Sequence, residues 1–144
     1  MRLFVYGSLK RGECNYHEVE RWVVSVVPAR APGRLYLRPD GYPALVVGSR
    51  ESGAGSVPGE LLELSDPDAA LAHLDIFEGY YPGHDSEYLR VEITCTPISL
   101  LPSPISAWTY VCQHPHDWPP IASWPVKAER PAPYTTGRLK RPKN

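Results

Sequence analysis

The sequence predicts an α+β fold in which a small mixed β-barrel of about six strands carries two flanking helices. Six or seven short runs are rich in β-branched and aromatic residues, which is typical of strands. Only two segments have the spacing and end signals of a helix. Because strands and helices do not alternate regularly, a doubly wound parallel sheet is disfavoured. A chain of 144 residues is long enough to bury one sizeable core.

The first half of the chain predicts four strands and one helix. A buried strand over residues 2–6 enters a tight loop at Gly7 and Ser8. Asn15 is expected to cap a helix that continues to Trp22. The other strands are predicted at residues 23–27, 34–38 and 42–47, with a turn at Asp40 and Gly41 before the last of them.

The second half predicts a longer helix and the remaining strands, after a polar loop over residues 48–56. Asp66 caps this helix with Pro67 in the first position, and Gly79 ends it directly after Glu78. Strands are predicted at residues 57–64, 88–94 and 105–111. We expect a barrel domain over residues 1–112 and a Pro- and Trp-rich extension over 113–144, docked up to about Tyr134 and basic at its end.

Glu78 is the residue on which the functional hypothesis depends. It follows Leu74 by four residues and Leu71 by seven, so it shares the helix face that turns inward. The negative field of a helix C-terminus and aromatic neighbours that exclude water both favour the protonated carboxyl. Such a carboxyl suits a general acid/base. The alternative is a surface glutamate on a frayed helix end.

Composition limits the partners and the location. Residues 1–125 carry 9 Lys and Arg against 15 Asp and Glu, whereas residues 126–144 carry 6 against 1. No apolar run approaches the roughly 20 residues that span a bilayer, and no signal-peptide core is present. Three widely spaced cysteines do not form a disulfide framework. We expect a cytoplasmic protein with reduced thiols that binds neither membrane nor nucleic acid.

Several short motifs along the chain are informative when taken together. They are Tyr6-Gly7-Ser8-Leu9, Lys10-Arg11-Gly12 with Asn15, Gly41-Tyr42-Pro43, Leu74-Asp75-x-Phe77-Glu78-Gly79 and Tyr88-x-Arg90-Val91. Each is weak alone; a glycine after a strand, for example, lets backbone N–H groups converge on an anion but also occurs in ordinary turns. In this order and spacing the motifs resemble the γ-glutamylcyclotransferase-like family, and the resemblance covers about residues 3–112.

The resemblance implies a barrel with a cavity for the α-amino acid end of a γ-glutamyl group. It makes Glu78 the catalytic acid/base, and it implies a small-molecule γ-glutamyl substrate with no cofactor and no metal. It assigns substrate binding to the loop after the first strand and, through weaker matches, to two later tyrosines: Tyr6, Gly7, Ser8, Leu9, Tyr88 and Tyr110.

The implied reaction is a cyclotransferase reaction. The substrate's own α-amine attacks its γ-carbonyl, so the step is intramolecular and releases 5-oxoproline and a free amine. Glu78 would take a proton from the α-ammonium and return it to the departing nitrogen. The rival hypothesis is a small-molecule-binding or regulatory module that keeps the pocket without turnover.

Three other features fit ordinary structure better than a site. Cys14 and His17 have helical spacing, but the sequence offers no third group to orient a thiolate pair. The basic residues 138–143 fit a solvated tail better than nucleic-acid contact. One short span offers metal-ligand types without a second cluster: Cys112, His114, His116 and Asp117.

Overall fold

The computed structural model describes residues 1–48, 55–81, 83, 86–100 and 102–126. Within these ranges the chain forms eight strands, one α-helix and two 3-10 turns. In chain order they are β1 (Arg2–Val5), the turns Tyr16–Glu18 and Glu20–Trp22, β2 (Val23–Pro32), β3 (Arg34–Leu37), β4 (Pro43–Val46), β5 (Ser56–Leu64), α1 (Pro67–Glu78), β6 (Tyr88–Pro97), β7 (Ile105–Cys112) and β8 (Pro120–Ile121).

Five of these strands close a barrel in the order β1-β5-β2-β6-β7. The neighbours are antiparallel except at the closure, where β7 and β1 run parallel with Trp108 opposite Leu3. The other three strands form a separate antiparallel sheet in the order β4-β3-β8. The predicted class, α+β with a small mixed barrel, is confirmed, with five strands in the barrel itself.

Strand β1 is buried on both faces, which explains its unbroken apolar sequence. Leu3 and Val5 belong to one apolar cluster together with Leu74 of α1, whereas Phe4 belongs to a second cluster on the opposite face. Gly59 of β5 lies so close to β1 that a Cβ there would collide with the Val5 carbonyl and the Phe4 ring. The end of β1 is therefore held on all sides, and the loop that follows starts from a fixed point.

Helix α1 begins and ends where local sequence signals predict. The Asp66 side chain accepts a hydrogen bond of 3.3 Å from the Ala69 N–H, and Pro67 is the first helical residue. Gly79 takes the left-handed conformation, with φ 74°, and its N–H donates to the Ile76 carbonyl at 3.1 Å. This pattern of hydrogen bonds places Glu78 at the last helical position.

The helix predicted from Asn15 to Trp22 is wrong, because this segment forms two 3-10 turns instead. Asn15 makes no capping bond in the turn that follows it. Its side-chain amide donates to Ser8 Oγ at 3.0 Å, and its backbone N–H donates to the Ser8 carbonyl at 3.0 Å. The Asn15 side chain, which would cap a helix, is thus engaged in a contact with Ser8. The described chain has one α-helix beside the barrel, not the two expected.

Three strands differ from the sequence prediction by more than one residue, and one of them, β6, runs to Pro97 rather than to residue 94. Strand β2 runs past Pro28 to Pro32 because it pairs with β5 along this length. Strand β8 is missing from the prediction, and it pairs with β3 through Ile121 opposite Leu35. The described part of the extension, residues 113–126, thus packs on the body, and the domain boundary at residue 112 stays a prediction. Tyr134, the basic tail and residues 49–54 of the predicted loop lie outside the described residues.

Candidate active site

A pocket opens where β1 ends, between the barrel, α1 and β4. Six of the seven residues that the sequence assigned to the site lie around it, and Tyr88 does not. The lining residues are Phe4, Val5, Tyr6, Gly7, Ser8, Leu9, Pro43, Glu78 and Tyr110.

Glu78 supplies the carboxyl of this pocket. Its side chain is buried, with 7% of the residue exposed, and it stands at the last position of α1. The apolar residues of the same helix, Leu71, Leu74 and Phe77, fix the helix in the core. The face that buries these leucines also carries the carboxylate into the pocket, so the periodicity that singled out Glu78 has a structural counterpart.

The loop after β1 lines the same pocket as Glu78 and is held in place by hydrogen bonds to neighbouring residues. The Gly7 carbonyl accepts from the Lys10 N–H at 3.1 Å, and the fully buried Asn15 holds Ser8 through both its side chain and its backbone. Within the described ranges, the N–H groups of Ser8 and Leu9 have no acceptor. Two neighbouring N–H donors at the pocket are the arrangement that binds an anionic oxygen.

Gly7 is required by its contact with Pro43. A Cβ at Gly7 would lie 2.6 Å from Pro43 Cγ, closer than packed carbon atoms approach. The Pro43 carbonyl in turn accepts a hydrogen bond of 2.8 Å from the Tyr88 hydroxyl. Tyr88 is only 1% exposed and lies behind Pro43. In this structure it supports the pocket wall, and its predicted contact with substrate stays a prediction.

Two tyrosines connect the end of β1 to β7 and to α1 through hydrogen bonds. The Tyr6 hydroxyl donates to the Tyr110 carbonyl at 2.6 Å, and the Tyr110 hydroxyl donates to Asp75 Oδ1 at 2.7 Å. Burial, together with the hydrogen bond to Asp75, raises the pKa of Tyr110 far above its usual value, and the charge of Glu78 acts in the same direction. Tyr110 therefore remains a neutral hydrogen-bond donor throughout the physiological range.

Two residues to which the sequence motifs gave no role, Asp75 and Arg90, complete this network. Arg90 of β6 donates two hydrogen bonds to the Asp75 carboxylate, from Nε to Oδ1 at 2.8 Å and from Nη2 to Oδ2 at 3.2 Å. Both residues occur in the motifs quoted above, Asp75 three residues before Glu78 and Arg90 two after Tyr88. The opposite charges within those motifs were the available signal.

The rival sites do not assemble in the described residues. Cys14 Sγ lies 3.9 Å from the Tyr42 hydroxyl, while His17 pairs with Glu18. His114 and His116 have their rings 6.3 Å apart, and no group of three or more metal-ligating side chains converges in the part of the chain that the structure describes. Among the same residues, no helix has both the length and the apolar character needed to cross a bilayer.

The fold and pocket define a class of protein: a small mixed barrel in which a buried carboxyl at a helix end lines the same pocket as the loop at a strand end. This arrangement suits proton transfer on a small anionic molecule. The model of the family described as "Gamma-glutamyl cyclotransferase, AIG2-like" matches residues 3–126. The chain belongs to that family.

Two solved structures illustrate how widely this fold is shared. An AIG2-like protein from Mus musculus is 22% identical over 95% of this chain and 96% of its own, with a TM-score of 0.67. YkqA from Bacillus subtilis is also 22% identical, over 83% of this chain, with a TM-score of 0.61, and this chain spans 37% of its length. No curated protein matches significantly. At this level of identity the likeness shows a common fold.

Proposed function

We propose that this protein is a cyclotransferase that releases 5-oxoproline from a γ-glutamyl amide. Family membership supports cyclotransferase chemistry. The observation that carries the proposal to particular residues is that the buried carboxyl of Glu78 lines the same pocket as the loop Gly7 to Leu9. The reaction needs both features, since one moves protons and the other holds the substrate's α-carboxylate.

The proposed chemistry requires no group beyond those at the pocket. Glu78 takes a proton from the substrate's α-ammonium, which frees the nitrogen lone pair to attack the γ-carbonyl carbon. The new C–N bond closes a five-membered ring, and the bond from the carbonyl carbon to the leaving nitrogen breaks. Glu78 returns its proton to that nitrogen. The second proton that the ring nitrogen loses on becoming an amide passes by way of Glu78 to the departing amine, so the products are 5-oxoproline and an ammonium ion. Holding the chain folded supplies much of the rate, because attack is intramolecular.

The loop donors give the substrate its orientation in this proposal. The N–H groups of Ser8 and Leu9 are suited to bind the α-carboxylate, and the apolar walls at Phe4 and Pro43 exclude water from the carboxyl. The leaving amine then points to the open mouth, where it meets solvent. The three cysteines, all within the described residues, are not joined by disulfides, and the cytoplasmic location stays a prediction.

Replacing the proton carrier tests this proposal directly. Glu78→Gln keeps the shape of the side chain but cannot cycle a proton, so it should lower 5-oxoproline release by at least about a hundredfold. Glu20→Gln, an exposed glutamate in the second 3-10 turn, is the matched control and should keep the parental rate. A panel of γ-glutamyl amides with amino acid, peptide and alkylamine leaving groups identifies the substrate class.

The same panel separates the enzyme from the binding module. Binding is measured by calorimetry for the parent and for Glu78→Gln, alongside release of 5-oxoproline. Turnover by the parent with retained binding by the variant supports the proposal. A parent that binds γ-glutamyl amides and leaves them intact indicates the non-catalytic module, and a fully active Glu78→Gln overturns the role of Glu78.

A further inference from the structure

The carboxylate of Asp75 connects three elements just before the end of α1. Its Oδ1 accepts from the Tyr110 hydroxyl of β7 at 2.7 Å and from Arg90 Nε of β6 at 2.8 Å. Its backbone carbonyl accepts from the Tyr80 N–H at 2.8 Å, which closes the helix end. We propose that Asp75 is a positioning residue for the reaction, which holds the last turn of α1, and Glu78 with it, against the pocket wall at Tyr110.

The position of Asp75 explains how it can act without touching substrate. Together with Arg90 and Trp108 it lines a groove that shares no lining residue with the pocket, where Tyr110 and Glu78 lie. The Tyr110 side chain thus connects the groove to the pocket. Because Asp75 and Glu78 are less than one helical turn apart, a constraint on Asp75 is also a constraint on the backbone of Glu78.

The same network reaches the substrate loop. Tyr110 donates its hydroxyl to Asp75 and accepts the Tyr6 hydroxyl on its carbonyl at 2.6 Å. Two hydrogen bonds and one residue therefore link the helix of Glu78 to the strand end that precedes Gly7. The relative position of proton carrier and loop, on which the proposed function depends, is set through Tyr110 and Asp75.

A purely structural ion pair would behave differently from a positioning residue. The side chains of Arg90 and Asp75 are 21% and 16% exposed, and ion pairs near the surface contribute little to stability. A structural role therefore predicts small changes in stability and none in the rate of chemistry. A positioning role predicts a fall in kcat, since a misplacement of the reacting groups by about 1 Å costs up to about a hundredfold.

Two variants that change single atoms test the inference, which rests on the proposed function. Asp75→Asn removes the charge that binds Arg90, and Tyr110→Phe removes the hydroxyl alone. Each should lower kcat for 5-oxoproline release about tenfold or more, with KM within about threefold. Because both variants loosen one connected network, the double variant should cost less than the product of the two single losses. Asp68→Asn, on the same helix and groove, is the control and keeps the parental kcat.

A second measurement keeps this inference separate from the proposed function. Amide hydrogen exchange at Gly79 and Tyr80 reports how firmly the end of α1 is held, whether or not the protein turns over. Exchange there should rise about tenfold in Asp75→Asn and Tyr110→Phe and stay unchanged in Asp68→Asn. A parent without 5-oxoproline release refutes the proposed function alone. Parental kcat in both variants, or unchanged exchange at both amides, overturns the role of Asp75.

Discussion

Adding one methyl group at Gly7 should displace the substrate loop. The new Cβ would lie 2.6 Å from Pro43 Cγ and 3.2 Å from Pro43 Cδ, whereas carbon atoms in contact prefer about 3.5 to 4.0 Å. About 1 Å is therefore missing. Pro43 cannot easily retreat, because β4 pairs with β3 and the Tyr88 hydroxyl binds the Pro43 carbonyl. Gly7 does not have a positive φ, so the collision is the main cost.

The size of the effect follows from this overlap. Forcing an extra carbon into a packed site costs about 1 to 3 kcal/mol, which for a chain of this length lowers Tm by roughly 3 to 10 °C. Because Pro43 is held by these two interactions, the displacement falls on the loop and moves the N–H groups of Ser8 and Leu9 within the pocket. We expect Gly7→Ala to reduce 5-oxoproline release by at least about tenfold, measured beside thermal unfolding by circular dichroism.

A compensating change provides the control for this prediction. Pro43→Ala removes the two ring carbons that the new Cβ meets, so the double variant should recover much of the Tm and activity lost in Gly7→Ala, each measured against Pro43→Ala alone. Parental stability and activity in Gly7→Ala would refute the close-contact reasoning. The same conclusion would follow if Pro43→Ala made the loss worse.

Two further predictions concern the core and the pocket wall. Leu74→Ala, at a fully buried position of α1, should lower the free energy of unfolding in urea by about 2 to 5 kcal/mol. Ile76→Ala, at a position 59% exposed on the same helix, should lower it by less than about 1 kcal/mol. Equal losses would contradict the assigned helix face. The raised pKa of Tyr110 contributes stability that is present below its ordinary value of 10.0 and is lost as pH rises through the folded-state pKa. The free energy of unfolding should therefore fall above about pH 10, and a Tyr110→Phe variant whose alkaline loss matches that of the parent would count against this coupling.

The parts of the fold that sequence predicted are those set by local chemistry. Asp66, Pro67 and Gly79 act within one turn of their own position, and they fix both ends of α1. The segment after Asn15 has comparable local signals, yet the side-chain amide of Asn15 donates a hydrogen bond to the buried Ser8 hydroxyl and does not cap a helix. Strand β8 has only two residues and no pattern of its own, so it is recognisable only once β3 is beside it.

The site divides in the same way. Glu78 could be singled out because its spacing from Leu71 and Leu74 is visible along one helix. The ion pair between Arg90 and Asp75 joins a strand to a helix. The hydrogen bond from Tyr88 to the Pro43 carbonyl joins residues 45 positions apart. Neither contact follows from spacing, because both depend on how the barrel closes. The charged and aromatic residues within the motifs could be recognised as candidates for the site, but the sequence did not indicate which residues they contact.

The proposed internal cyclisation is tested most directly by turning over a γ-glutamyl amide in water enriched in the heavy isotope of oxygen and following that oxygen into the product. Attack by the substrate's own amine brings no solvent oxygen into the product, so mass spectrometry should find unlabelled 5-oxoproline with the parent and almost none with Glu78→Gln. Labelled glutamate in place of 5-oxoproline would show hydrolysis by water. That result would contradict the proposed internal cyclisation in the pocket of Glu78.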